Sequence, residues 1–184
     1  MTDAPLDHAP DRGRDWLLTS ARWLTTTIIV LVCLTGLGLL AAGIALPLFH
    51  ERIAASVLTE TGKPFGYEVT TAIEALLALI LVMGFLAFRW LMRLRRIIDS
   101  VGEGDAFSIA NAERLYSMGW LVVGIEVLAV PAGVAAHFVT THFHRQHVEI
   151  GFSLGGILMA LVLFILARVF REGAAMREEL EGTV

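Results

Sequence analysis

Hydrophobic residues are gathered into four long runs along this chain, and short polar segments separate the runs. The runs cover about residues 24–46, 72–91, 118–139 and 152–170. Each is close to the roughly 20 residues that a helix needs to cross the hydrocarbon core of a bilayer. A spanning segment must satisfy its backbone hydrogen bonds internally, and the period of two typical of strands is absent. The runs therefore predict four transmembrane α-helices.

The polar segments predict how the rest of a single membrane domain, residues 1–184, is organised. Residues 1–15 contain proline, glycine and four aspartates, which favour a disordered tail. Between the second and third runs the helical period continues past the bilayer, until Gly102 and Gly104 end it. Ser108 or Asn111 can then cap the next helix, so a helical hairpin is predicted here. Residues 171–184 predict a charged tail helix that extends the fourth run.

Composition then indicates the class of protein, and the distribution of charge indicates its orientation in the membrane. The chain is 56% hydrophobic and 17% charged, whereas a soluble domain is about a quarter charged. Most of its 14 basic residues lie in the first segment, in the hairpin and in the tail, while the other side holds Arg52, Lys63 and Arg145. The positive-inside rule places both termini and the hairpin in the cytoplasm. We predict an all-α integral membrane protein, a four-helix bundle of the bacterial inner membrane.

One ionisable residue, Glu126, lies in the middle of a predicted span. A carboxylate at that depth costs about 2.5–3.5 kcal/mol on insertion scales, so we expect it to face the interior of the bundle. It would there be protonated or hydrogen-bonded to Thr or Ser of another span. A structural hydrogen bond is the plainer interpretation, and the alternative is a gate or proton relay.

Four histidines cluster near the external end of the third span, and they are the weak metal candidates of this sequence: His137, His142, His144 and His147. Imidazoles bind zinc, copper or nickel, and their protonation near pH 6 can also sense pH. The spacing of His142 and His144 puts the two rings on opposite faces of a helix, and no cysteine supports the set. Interfacial histidines without a ligand are the preferred interpretation, so we predict no metal site.

Small residues form two possible contact faces, Gly38-x-x-x-Ala42 and Gly151-x-x-x-Gly155. Such spacing allows close helix approach, either within the bundle or in a homodimer, and the motif does not separate the two. The sequence contains no P-loop, nucleophile elbow or zinc-protease helix. We therefore expect no enzymatic activity, no catalytic residues and no cofactor.

Three short motifs in and after the predicted hairpin carry a family resemblance: Arg93-Leu-Arg-Arg-Ile97, Gly104-Asp-Ala-Phe107 and Asn111-Ala-Glu-Arg-Leu115. They resemble a family of bacterial four-span membrane proteins known as domain of unknown function 2975. Ala106 stands where that family usually has proline. The resemblance implies a genetic neighbourhood, because members are often encoded beside a small helix-turn-helix transcription factor. That arrangement is similar to systems in which a membrane protein holds a regulator inactive.

Together these features lead to a hypothesis of signalling or sequestration. The cytoplasmic surface would bind and control a small transcription regulator, without direct contact to nucleic acid, while the lipid bilayer surrounds the spans. The residues assigned to this surface are Arg95, Arg96, Phe107, Asn111, Arg114, Arg171 and Arg177. Phe107 and Asn111 would fix the hairpin, and the arginines would contact the partner. The alternative is a small transporter or channel component with a polar path at Glu126.

Overall fold

The computed structural model describes residues 12–61, 65–142 and 153–181. Five helices account for almost all of these residues: α1 (Arg12–Leu48), α2 (His50–Thr61), α3 (Tyr67–Gly102), α4 (Ile109–His142) and α5 (Leu154–Glu181). The described part of the chain contains no strand. Four of the helices are long and apolar enough to cross a membrane, over Trp16–Leu48, Tyr67–Gly102, Ile109–His142 and Leu154–Glu179. The predicted all-helical, four-span membrane protein is confirmed.

The helices are longer than the apolar runs, because polar residues that flank the runs are also helical. α1 already begins at Arg12, so the predicted disordered tail of residues 1–15 is wrong over its last four positions. Arginine is a good helix former, which favours this earlier start. Residues 1–11 lie outside the described part of the chain. α5 runs without a break from the fourth span to Glu181, so the predicted tail helix is its continuation.

The long helices pack as an open row. α1 packs against α3, α3 against α4 and α4 against α5, and no comparable pairing joins α1 to α5 among the described residues. The sequence predicts a four-helix bundle, and a closed bundle would need that last pairing. Apolar side chains of α1 such as Leu37 and Ile44 are instead exposed. Lipid tails are as apolar as a protein core, so a membrane helix loses little by leaving these side chains uncovered.

A buried hydrophobic cluster lies between α4 and α5. Leu115, Met118, Leu163 and Ala167 form a buried cluster, and side chains of α3 such as Trp90 and Leu94 pack against it. A Cβ atom built on Gly119 would lie 2.7 Å from the ring of Phe164. This glycine therefore lets an aromatic ring of α5 lie directly on the backbone of α4, which sets the distance between the two helices.

Candidate functional site

The α3–α4 turn, residues 103–108, begins with a defined helix end. Gly104 adopts φ 86°, the left-handed region that favours glycine. Its N–H donates to the carbonyl of Val101 (3.2 Å), and the N–H of Asp105 donates to the carbonyl of Ser100 (3.0 Å). This pair of bonds is the Schellman motif, which satisfies carbonyls that the helix end would otherwise leave unpaired. The chain therefore leaves α3 in one fixed direction.

Asn111, in the first turn of α4, is the centre of a hydrogen-bond network within this turn. Its side chain is fully buried. The Nδ2 atom donates to Ser100 Oγ at 2.7 Å and to the carbonyl of Ala106 at 2.9 Å. The Oδ1 atom accepts from Arg114 Nη1 at 2.7 Å. The amide orientation follows from these partners, because a guanidinium can only donate and a carbonyl can only accept.

Ion pairs connect the turn region to the two outer helices of the row. Arg22 of α1 lies 2.9 Å from Asp99 near the end of α3, and Arg177 of α5 lies 3.2 Å from Asp105 in the turn. All four side chains are about half exposed, so each pair contributes at most about 1 kcal/mol. Their main effect is to fix the relative positions of the helix ends. The ends of α1, α3, α4 and α5 meet here, although α1 and α5 do not pack together within the described residues.

Phe107 adds an apolar contact between the turn and α5. Its ring centroid lies 5.0 Å from that of Phe170. A Cβ on Gly173 would lie 3.1 Å from the Phe107 ring, so α5 passes close to the turn at a glycine. Half of Phe107 remains exposed. We call residues 95–108, together with α5 residues 170–177, the turn platform.

The structure divides the arginines assigned to partner contact into two groups. Arg114 lies inward, with Nη1 on Asn111 and 3.5 Å from the carbonyl of Arg96, and Arg177 is paired with Asp105. Arg96 and Arg171 are exposed, and Arg95 is partly buried. Neither Arg96 nor Arg171 has an ion pair with a described residue. The cations that remain available on the turn platform are therefore Arg96 and Arg171.

Glu126 lies beside the N-terminus of α5. Its Oε2 accepts a hydrogen bond from the backbone N–H of Ser153 at 2.8 Å, just before α5 begins. A Cβ on Gly156 would overlap the same carboxylate. Helix N-termini carry unpaired N–H groups and partial positive charge, which favour a carboxylate there. Glu126 thus makes a structural hydrogen bond to the fourth span through the backbone of a serine.

Two of the four candidate histidines lie in the described part of the chain. His137 and His142 lie in the last turns of α4, while His144 and His147 fall outside the described residues. Within the described part of the chain, no group of three or more His, Cys, Asp or Glu side chains could hold a metal ion. Of the two small-residue faces, one lies fully within the described residues and the other only in part. Gly38 and Ala42 are exposed on α1, and Gly151 lies outside the described residues.

The chain matches the family described as "Protein of unknown function (DUF2975)" over residues 55–184. It belongs to this family. No curated protein and no solved structure matches the chain. The DUF2975 match includes the whole turn platform, Glu126 and α5, and it leaves out all of α1 and the start of α2. The elements that form the hydrogen-bond network around Asn111 are therefore family elements, while the arginine that ties α1 to α3 lies outside the matched region.

The contacts of several site residues have no signal in the sequence. Ser100 is an ordinary polar residue near a helix end and Asp105 lies in one of the family motifs, but only the fold brings them to Asn111 and Arg177. Gly156 sits next to Gly155, and sequence spacing favoured the pair Gly151 and Gly155 for helix contact. The structure shows that Gly156 faces α4, because Glu126 occupies the space beside it.

Proposed function

We propose that this membrane protein binds and controls a small cytoplasmic helix-turn-helix transcription regulator through the turn platform. The proposal assigns no catalysis and no cofactor to the chain. It places the protein in a bacterial inner membrane with both termini in the cytoplasm, as the positive-inside rule predicts. The genetic neighbourhood implied by the family resemblance suggests the kind of partner.

The observation that supports this function best is the combination of a fixed turn with unpaired cations. Asn111, the Schellman motif and Phe107 hold the turn in one conformation. Arg96 of α3 and Arg171 of α5 are exposed beside this turn, and neither forms an ion pair with a described residue. An arginine held on a rigid surface loses little conformational freedom when it binds a carboxylate, and its planar fork suits bidentate pairing. The platform is thus suited to an acidic surface of a protein partner.

Co-purification with the regulator encoded beside the gene tests this proposal. We expect the full-length wild-type protein to retain the regulator, and the double variant Arg96→Glu/Arg171→Glu to lose it. The matched control is Arg96→Lys/Arg171→Lys, which keeps both charges and should retain much of the binding. Regulator target genes should change expression in the charge-reversed strain. Retention of the regulator by the charge-reversed variant, with unchanged target genes, would rule the proposal out.

The second candidate function is a small transporter or channel component with Glu126 in a polar path. Glu126 lies in the helix of the candidate span Ile109–His142, and it is partly buried. Its hydrogen bond to Ser153 gives it a structural role that needs no transport. A liposome flux assay comparing wild type with Glu126→Gln separates the two functions. Flux at the background level in both proteins removes the transporter candidate.

A further inference from the structure

A second polar region lies at the end of the spans opposite to the turn platform. A cavity of about 390 Å³ separates the elbow between α1 and α2, residues 47–52, from the first two turns of α3. From α3 it is lined by Tyr67, Thr70, Thr71 and Glu74, which share one face because they are three or four residues apart. The volume is within the range of small-molecule sites. We call it the elbow cavity.

Aromatic stacking fixes the wall of the elbow cavity. The ring of His50 stacks on that of Tyr67, with centroids 4.4 Å apart and planes 8° from parallel. The ring of Phe65 also lies near the imidazole, with its centroid 5.8 Å away and its plane tilted by 37°. The Nε2 atom of His50 is buried and has no hydrogen-bond partner among the described residues. Because a buried polar atom without a partner is costly, the wall has an unmet hydrogen-bonding need.

Side chains of both charges line the elbow cavity. Glu51 and Glu74 contribute carboxylates, and Arg52 contributes a guanidinium. None of the three forms an ion pair with a described residue. Among these three groups, the carboxylates outnumber the guanidinium by one. Such a lining favours a ligand that carries both an ammonium and a phosphate group over a purely anionic one.

We propose that the elbow cavity binds the phosphate ester of a primary amine, the headgroup chemistry of phosphatidylethanolamine. Arg52 pairs with the phosphate, and the carboxylates of Glu74 and Glu51 accept hydrogen bonds from the ammonium. The cavity lies where the span Trp16–Leu48 ends and the span Tyr67–Gly102 begins, which is the depth of lipid headgroups. Pro47, Leu48 and Phe49 add an apolar wall along which acyl chains can continue. Free phosphoethanolamine offers the same headgroup without the chains.

Native mass spectrometry of the full-length protein in detergent tests this site. Short-chain phosphatidylethanolamine, short-chain phosphatidylglycerol and free phosphoethanolamine are titrated separately. We expect saturable binding of phosphatidylethanolamine, weakened about tenfold or more in Glu74→Gln, since that change removes a charge-assisted hydrogen bond. Glu68→Gln is the matched control, because Glu68 is exposed on the same helix and does not line the cavity. It should bind like the wild type.

Arg52→Gln provides a second variant, on exposed α2, if Glu74→Gln does not fold. It should weaken binding of the same lipid by a similar factor. Binding of free phosphoethanolamine would show that the headgroup alone is recognised, whereas binding of the lipid alone would identify the bilayer as its source. Equal affinity for phosphatidylglycerol, equal binding by Glu74→Gln and Glu68→Gln, or no binding of either ethanolamine compound would overturn the proposal.

Discussion

At the scale of single residues, Asn111 shows how a buried amide can be stabilising in an apolar protein. Removing an amide from water without replacing its hydrogen bonds costs several kcal/mol in apolar surroundings. Here both donors and the acceptor of the side chain are used, by Ser100, Ala106 and Arg114. The partners come from the end of α3, the turn and α4. One side chain therefore joins all three segments, which no apolar residue of the same size could do.

Replacing Asn111 tests this role. We expect Asn111→Ala to lower the free energy of unfolding by about 1–3 kcal/mol, because Ser100 Oγ, the Ala106 carbonyl and Arg114 lose their hydrogen bonds to a buried amide and are themselves partly buried. Ser117→Ala is the matched control, since within the described residues the Ser117 hydroxyl bonds only to the carbonyl of Arg114 in its own helix. It should change stability by less than about 0.5 kcal/mol. Thermal unfolding in detergent measures both, and equal melting temperatures would contradict the role assigned to Asn111.

The residues of this network show what sequence could and could not predict. Glycines and serine in a short polar segment predicted a helix end and a new cap, because those residue types have strong local preferences. The same reasoning assigned Arg114 to a partner, whereas the structure turns it inward to Asn111. An arginine next to a helix cap has no local feature that distinguishes a buried orientation from an exposed one. Only the arrangement of α3 and the turn decides between them.

At the scale of helices, apolar length predicted the four spans but not their packing. Length and hydropathy are properties of one segment, so the sequence alone was enough to predict the spans. The packing face was not, since the lipid-facing and core-facing sides of α4 and α5 are both apolar. The open row of helices follows from contacts such as Gly119 on Phe164 and Gly156 on Glu126. Each joins a glycine on one helix to a large side chain on its neighbour.

Gly156 and Gly155 offer a matched test of that packing. We expect Gly156→Ala to lower the free energy of unfolding by about 1–3 kcal/mol, because the new methyl group overlaps the Glu126 carboxylate and displaces it from the N–H of Ser153. Gly155→Ala should be neutral or slightly stabilising, since its Cβ would meet only Ser153 Oγ, at an ordinary 3.4 Å. Unfolding in detergent compares the two variants.

A double variant strengthens the comparison. Glu126→Ala/Gly156→Ala removes the overlapping group, so part of the stability lost in Gly156→Ala should return, although the hydrogen bond to Ser153 stays lost. Such non-additivity is expected for residues in contact. If the two single substitutions lowered stability additively, or if Gly155→Ala were as damaging as Gly156→Ala, the contact would not set the position of α5.

At the scale of the whole molecule, the two ends of the spans differ in charge and in construction. One end carries the turn platform, with arginines of α3 and α5, and Arg22 of α1 and Arg114 of α4 lie beside it. The other carries the elbow cavity, where carboxylates outnumber the one arginine. The positive-inside rule predicts that the arginine-rich end faces the cytoplasm. The proposed regulator site and the proposed lipid site therefore lie on opposite sides of the membrane.

Site-directed labelling tests this orientation, on which the regulator proposal depends. Cys33 is the single cysteine, so Cys33→Ser gives a background for Ser56→Cys at an exposed position of α2 and Glu178→Cys at an exposed position of α5. With a membrane-impermeant maleimide applied to spheroplasts, we expect Ser56→Cys to react and Glu178→Cys to react only after the membrane is disrupted. The reverse pattern would place the turn platform outside the cell, where no transcription regulator could reach it. Labelling of both positions in intact spheroplasts would contradict a spanning arrangement in which α2 and the end of α5 face opposite sides.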